Sequence, residues 1–252
     1  DAARILGRAD YQQVAVRAAN FLLSRLRDPQ RGRLLRTYKD GQAKLNAYLE
    51  DYALLAEGLL ALYQATFDLR WLQEAQKLAD TMLEHFWDAD KGAFFSTSDD
   101  HETLIARPKD VVDNAMPSAN ASAAGVLLYL GRLLGNETYE RHGVAILQLL
   151  RDGMMRAPGA FSRLLCVLDF YLAPPREIAV IGALPAADSQ ALINEIWRHY
   201  LPNTVTAAAP AEDKAARALI PLLAGREGIN GQATAYVCEN YTCKLPVTTV
   251  SA

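Results

Sequence analysis

The chain has 252 residues, enough to bury one large core or a core with a small appended unit. Hydrophobic residues make up 51% and charged residues 22%, the balance of a folded protein rather than a disordered one. The net charge of −3, from 26 basic and 29 acidic residues, gives no electrostatic case for nucleic acid or an anionic membrane, and no apolar run is long enough to span a bilayer.

The first two-thirds reads as helices of two alternating kinds. Segment 10–27 places Tyr11, Val14, Ala18, Phe21, Leu22 and Leu26 on one stripe, with Gln12, Gln13, Arg17, Asn20 and Arg25 opposite, as an amphipathic surface helix would. Segments 70–88 and 137–151 repeat that pattern. Between them lie helices apolar nearly all round: "YALLAEGLLALYQA" (52–65) carries only Glu57, "ASAAGVLLYLGRLLG" (121–135) only Arg132, and "FSRLLCVLDFYLA" (161–173) only Arg163 and Asp169. Such helices must be covered on every face, so the order is outer, inner, outer, inner, outer, inner. Inner-to-outer links are short. Outer-to-inner links are long, spanning roughly 28–48, 88–117 and 152–160, and should emerge together at one end.

After residue 174 the composition changes. "REIAVIGAL" (176–184) reads as a buried strand, "DSQALINEIWRHYL" (188–201) as a helix capped by Asp188 or Ser189, and "NTVTAAA" (203–209) as a second strand, making a βαβ unit. "PAEDKAARALIPLLAG" reads as a further helix and "ATAYVCENYTCKLPV" (233–247) as a closing strand or hairpin. The βα turn "IGALPAADS" lacks a Gly-rich phosphate fingerprint, and no cofactor is expected. The expected fold is therefore mainly α, with residues 1–174 helical and 175–252 a small α/β appendage packed on them.

Alternating inner and outer helices with loops at one end are the plan of the α/α-toroid, or six-hairpin glycosidase-like, architecture, here a partial one. The motifs "LLRTYKDGQAKLNAYLEDYALLAEGLLALYQATFDLRWLQEA", "HFWDADKGAFFSTSDD", "LIARPKDVVDNAMPSANASAA" and "ATAYVCENYTCKLPV" closely resemble the spermatogenesis-associated, thioredoxin-domain-containing protein family, over essentially the whole chain. Members of that family carry an N-terminal thioredoxin-like domain and earlier hairpins of the toroid. This chain shows no C-x-x-C and supplies three outer–inner pairs, so the resemblance implies a C-terminal part without the thioredoxin domain. The family pattern near "DNAMPSANAS" reads closer to Asp-Gly-Ala-x-Pro-Ser-Gly-Asn-Ser, making Asn114, Ala119 and Ala121 substitutions at a tight turn.

The toroid resemblance directs attention to acids at the loop end. Glycoside hydrolysis needs two carboxylates facing across the sugar, one to protonate the leaving oxygen and one to activate water or attack. Asp51 and Asp113 are the candidate catalytic pair. Glu50, Tyr52, Phe95, Arg107, Asp110, Asn114, Ser118 and Asn120 are candidates for holding a carbohydrate-like ligand, with Tyr38 and Phe94 as further stacking faces. A plainer role suits the same residues, because acids, Ser and Asn cap helix starts for about 0.5–2 kcal/mol each. The chain is thus expected either to act on or bind a sugar-like molecule, or to be a non-catalytic module of a thioredoxin-linked protein.

Three cysteines are too few for a secreted disulfide framework, and "DAARILGRADYQQ" carries no signal-peptide h-region, so a reducing, cytoplasmic setting is expected. Cys238 and Cys243 flank a four-residue hairpin loop within disulfide reach and are redox candidates, with free buried thiols the expected state. Zinc would need two further ligands with no spacing pattern, and no metal is expected. Cys166 is expected to pack within its apolar helix. Apolar flanks left uncovered by an incomplete toroid predict a homo-oligomer, or assembly with a thioredoxin-like domain or N-terminal half.

Overall fold

The computed structural model describes residues 1–102, 105–240 and 242–250. Its helical part begins with α1 (Ala2–Leu6) and α2 (Ala9–Arg25), followed by α3 (Leu49–Thr66), α4 (Leu69–His85), α5 (Ala119–Leu134), α6 (Glu137–Arg156) and α7 (Ser162–Leu172). Side-chain caps start three of these helices: Asp68 accepts from Arg70 N, Ser118 from Ala121 N, and Asn136 from Thr138 and Tyr139 N. The short links end on left-handed residues, Phe67 after α3 and Gly135 after α5. Two-sided burial of α5 follows from its sequence: twelve of its sixteen residues are buried, from Ala119 to Leu133.

Coverage is incomplete along two helices. Along α2, Tyr11, Val14, Ala18 and Phe21 are exposed and only Ala19 is fully buried, so the stripe is half covered by its neighbour α3. In α7 only Leu164 and Val167 are buried, while Leu172 is 69% exposed. An apolar helix is covered only where something packs on it, and along these flanks nothing among the described residues does.

The segment expected as a loop at 28–48 contains a hairpin, β1 (Leu35–Lys39) paired antiparallel with β2 (Gln42–Asn46). Its two-residue turn is Asp40-Gly41, both with positive φ (51° and 78°), the geometry for which Asp-Gly is suited. The long connections meet one another: Leu49 N donates to Ser96 O (3.0 Å), Arg33 pairs with Asp100, and Asp113 N donates to Ala160 O (2.9 Å).

In the remainder, β3 (Arg176–Ile181), α8 (Ala187–Arg198) and β4 (Thr204–Ala209) form the expected βαβ unit, with β3 and β4 parallel. Strands β5 (Thr234–Glu239) and β6 (Thr242–Cys243) extend the sheet antiparallel, in the order β4-β3-β5-β6. Neither Asp188 nor Ser189 caps α8. The N-cap is Ala186, and the Asp188 carboxylate instead accepts from Ser189 N (2.8 Å) and Ala233 N (2.9 Å). The "PAEDKAARALIPLLAG" helix is only α9 (Lys214–Leu219), since Pro221 opens a separate 3-10 turn, Pro221–Leu223. One buried cluster runs from Leu49 and Leu127 through Val205 to Leu223, joining the helical and α/β parts. Among the described residues no helix is long and apolar enough to cross a membrane.

Candidate functional site

The loop-end residues come together in a network that consumes their polar groups. Asp51 Oδ2 accepts from Tyr48 N (2.8 Å), closing a capping box at the start of α3, and from Arg36 (2.8 Å). Arg36 also binds Glu50 at 2.7 Å, straddling the two acids from the hairpin. Tyr52 is buried, with its ring against Phe86 and its hydroxyl accepting from Leu34 N (2.9 Å), so it offers no sugar-stacking face. Phe94 is buried as well, while Tyr38 lies edge-on to Phe21.

At the second inner helix the pattern repeats. Asp113 accepts from Ser118 N and Arg163 N, both at 2.8 Å, which ties the starts of α5 and α7 together. Asp110 accepts from Ala119 N (3.1 Å). Asn120 is fully buried; its Oδ1 accepts from Phe94 N (2.8 Å) and its Nδ2 donates to Phe94 O (3.0 Å) and Asp110 O (2.8 Å). Ser118 caps α5. Arg107 donates to Thr97 O (2.6 Å) and lies 4.2 Å above the Phe95 ring. Asn114 is exposed and bonds through its backbone N to Met116 O. Neither Asn114, Ala119 nor Ala121 has positive φ, so these departures from the family's glycines and serine carry no backbone strain.

Asp88 and Asp28 form a pair of matching turns that the sequence reading missed. Each accepts from the N–H groups two and three residues on, and each is closed by a left-handed glycine, Gly92 or Gly32. The signal was the D-x-x-x-G spacing after two outer helices. Lys109 bonds Asp88 Oδ2 at 2.7 Å and, with help from the Lys91 and Asp90 amides, holds that carboxyl down to about 2.

The principal cavity lies elsewhere. About 670 Å³ in volume, it runs along the middle and far halves of α3 and α5, across α7, and under the α/β part. Charges of two of the apolar helices line it: Glu57 from α3 and Arg163 from α7 form an ion pair, and Asp169 from α7 is also in the lining. Gly125 leaves room for that guanidinium, because a Cβ there would stand 3.1 Å from Arg163 Nη2. Tyr129, Phe170 and Trp197 supply aromatic surface, and Gln64 and Asn203 supply amides. Cys166, expected to pack, is exposed and lines this cavity, because its side of α7 has no helix against it. A second groove of about 490 Å³ between α2 and α3 is lined by Leu22, Leu26, Leu55 and Leu59, with Arg36, Glu50 and Asp51 among its lining. Of the candidate catalytic pair, Asp51 lines this second groove and Asp113 lines neither of the two.

Cys238 and Cys243 face each other in register on β5 and β6 and are joined as a disulfide, correcting the expectation of free thiols. Cys238 is buried and Cys243 exposed. Tyr241 of their turn lies outside the described residues.

Fold and site together define a mainly helical protein with a small α/β unit and an open amphipathic cavity. No family model matches the chain. It is 33% identical to human spermatogenesis-associated protein 20 over 254 residues, covering 97% of this chain and 32% of that protein. The rat protein of the same name is 32% identical over 98% of the chain. An uncharacterized Caenorhabditis elegans protein is 22% identical over 83% of it. The chain is thus a homologue of spermatogenesis-associated protein 20, as its motifs indicate, and spans about a third of the length of the mammalian relatives it matches.

Proposed function

We propose that this chain is a non-catalytic binding module, an arc of an α/α-toroid whose concave face holds a neutral, sugar-like ligand. The observation that carries the reading is the lining of the larger cavity, which brings together the rings of Tyr129, Phe170 and Trp197, the amides of Gln64 and Asn203, and the Glu57–Arg163 pair. Rings pack against the apolar C–H faces of a sugar, while amides and an ion pair meet its hydroxyls. Glu57 pairs with Arg163, Asp1 pairs with Arg4, and Asp169 accepts from Asn203, so the lining charges are already engaged, which favours an uncharged ligand over an anion or cation. Asp51 and Asp113, bonded to backbone amides, act as braces of the loop end in this reading.

The test is a thermal-shift screen of neutral mono- and oligosaccharides, with hydrolysis assayed in parallel. A saccharide at a hundred times its Kd stabilises the fold by about 2.7 kcal/mol. The expected result is such a shift in the wild type and in Asp51→Asn, with no turnover by either. Hydrolysis that disappears in Asp51→Asn and Asp113→Asn would overturn the reading in favour of a glycosidase-like hydrolase.

The proposal extends to assembly. Ile5, Leu6, Tyr11, Val14 and Phe21 expose apolar surface along α1 and α2, and surface of that kind favours association. The chain pairs with a second copy through this flank. Three cysteines are too few for a secreted disulfide framework, which favours a cytoplasmic setting.

A further inference from the structure

We propose that Cys238 and Cys243 are a thiol–disulfide exchange site, opened by an external dithiol that attacks the Cys243 sulfur. The pair is asymmetric in a way that dictates the direction of attack. Cys243 lies exposed on the edge strand β6, whereas Cys238 on β5 is 2% exposed. Attack by an external thiolate therefore falls on the exposed residue, Cys243, rather than on the buried Cys238.

Arg226 supplies the second, independent feature. Its Nη2 stands 3.2 Å from Cys238 Sγ and 3.4 Å from Cys243 Sγ. The other arm of the guanidinium donates to Leu222 O, and the group lies 5.5 Å from the Tyr236 ring centroid, so it is anchored outside the β5–β6 turn. Among the described residues Arg226 has no carboxylate ion-pair partner, and Glu239, the acid beside the pair, is engaged by Arg176 at 2.9 Å. A neutral disulfide is a weak acceptor for a charged donor. A thiolate is a strong one, so this guanidinium is matched to the reduced state.

A thiolate of the dithiol bonds to Cys243 Sγ, the Cys238–Cys243 bond breaks, and its electron pair leaves on Cys238 Sγ as a thiolate held by Arg226. The second thiol of the reductant, once deprotonated, attacks the reductant's own sulfur in the mixed disulfide and releases Cys243 as thiolate, which takes up a proton. Two electrons pass to the pair, the reductant ends as a disulfide, and the reverse sequence reoxidises the site.

The experiment equilibrates the native protein in graded mixtures of reduced and oxidised dithiothreitol, with acid quenching, alkylation and peptide mapping to keep Cys166 separate. The expected result is full, reversible opening of Cys238–Cys243 with the circular dichroism of the fold intact. The reduced pair should contain one thiol titrating below the ordinary cysteine value of about 8.5. Arg226→Gln should raise that value and shift the equilibrium toward the disulfide by about tenfold, the equivalent of about one pKa unit, with Arg226→Lys recovering part of the change. In Cys238→Ser, a mixed disulfide formed on Cys243 with oxidised glutathione, a monothiol probe, should persist, whereas in the wild type Cys238 displaces it. Reduction only after denaturation, or an Arg226→Gln protein with unchanged thiol titration and equilibrium, would show a structural staple and overturn the proposal.

Discussion

Asp113 accepts one backbone N–H from each of two helix starts, Ser118 and Arg163. Removing its carboxylate leaves two amides unpaired, and Asp113→Ala should cost about 2–3 kcal/mol in urea unfolding. Asp51→Ala removes a cap and should cost about 1 kcal/mol. A loss of saccharide binding in Asp113→Ala without loss of stability would contradict the bracing role. At Asp88 the sign of the pH dependence follows from Lys109. Its folded carboxyl lies at about 2 against an ordinary 3.8, so its contribution is complete above 3.8 and is lost as pH falls toward 2. Wild-type urea midpoints should therefore drop more steeply over that interval than those of Lys109→Met. Parallel curves would refute the coupling. The candidate acids were legible as residue types at helix starts. Their engagement by particular amides was not, because the donors come from Ser118, Arg163 and Tyr48, whose approach depends on how the loops fold.

At the scale of elements, periodicity located the six long helices, and the switch to β-branched runs after residue 174 located β3 and β4. The β1–β2 hairpin escaped because its flanks, "LRTYK" and "QAKLN", are too polar to alternate clearly, although Asp40-Gly41 marks the turn. The two lone charges of otherwise apolar helices, Glu57 and Arg163, were visible, but their meeting across α3 and α7 was not. Close packing of α5 on α6 was equally hidden in Gly131. A Cβ at that position would stand 3.0 Å from Glu140 N and 3.3 Å from Asn136 O, both backbone atoms that cannot swing aside. Gly131→Ala should therefore lower stability by about 1–3 kcal/mol in thermal unfolding, despite alanine's better helix propensity. An unchanged or raised Tm would mean that the two helices separate at little cost.

Across the whole molecule, coverage is uneven. One cluster is shared by the helices and the α/β unit, yet among the described residues nothing covers the α2 flank or one side of α7. Light scattering at micromolar concentration should report a dimer, and Val14→Arg with Phe21→Arg should convert it to monomer. A wild-type monomer would remove the proposed pairing. The α7 side borders the larger cavity, where exposed Cys166 provides a way to block binding without disturbing the core. Calorimetric titration of a neutral oligosaccharide into wild type, Cys166→Phe and Asp113→Asn tests the account most directly. It predicts one site per chain in wild type and Asp113→Asn, and none in Cys166→Phe. Binding that survives Cys166→Phe but vanishes in Asp113→Asn would place the ligand at the loop end and contradict it.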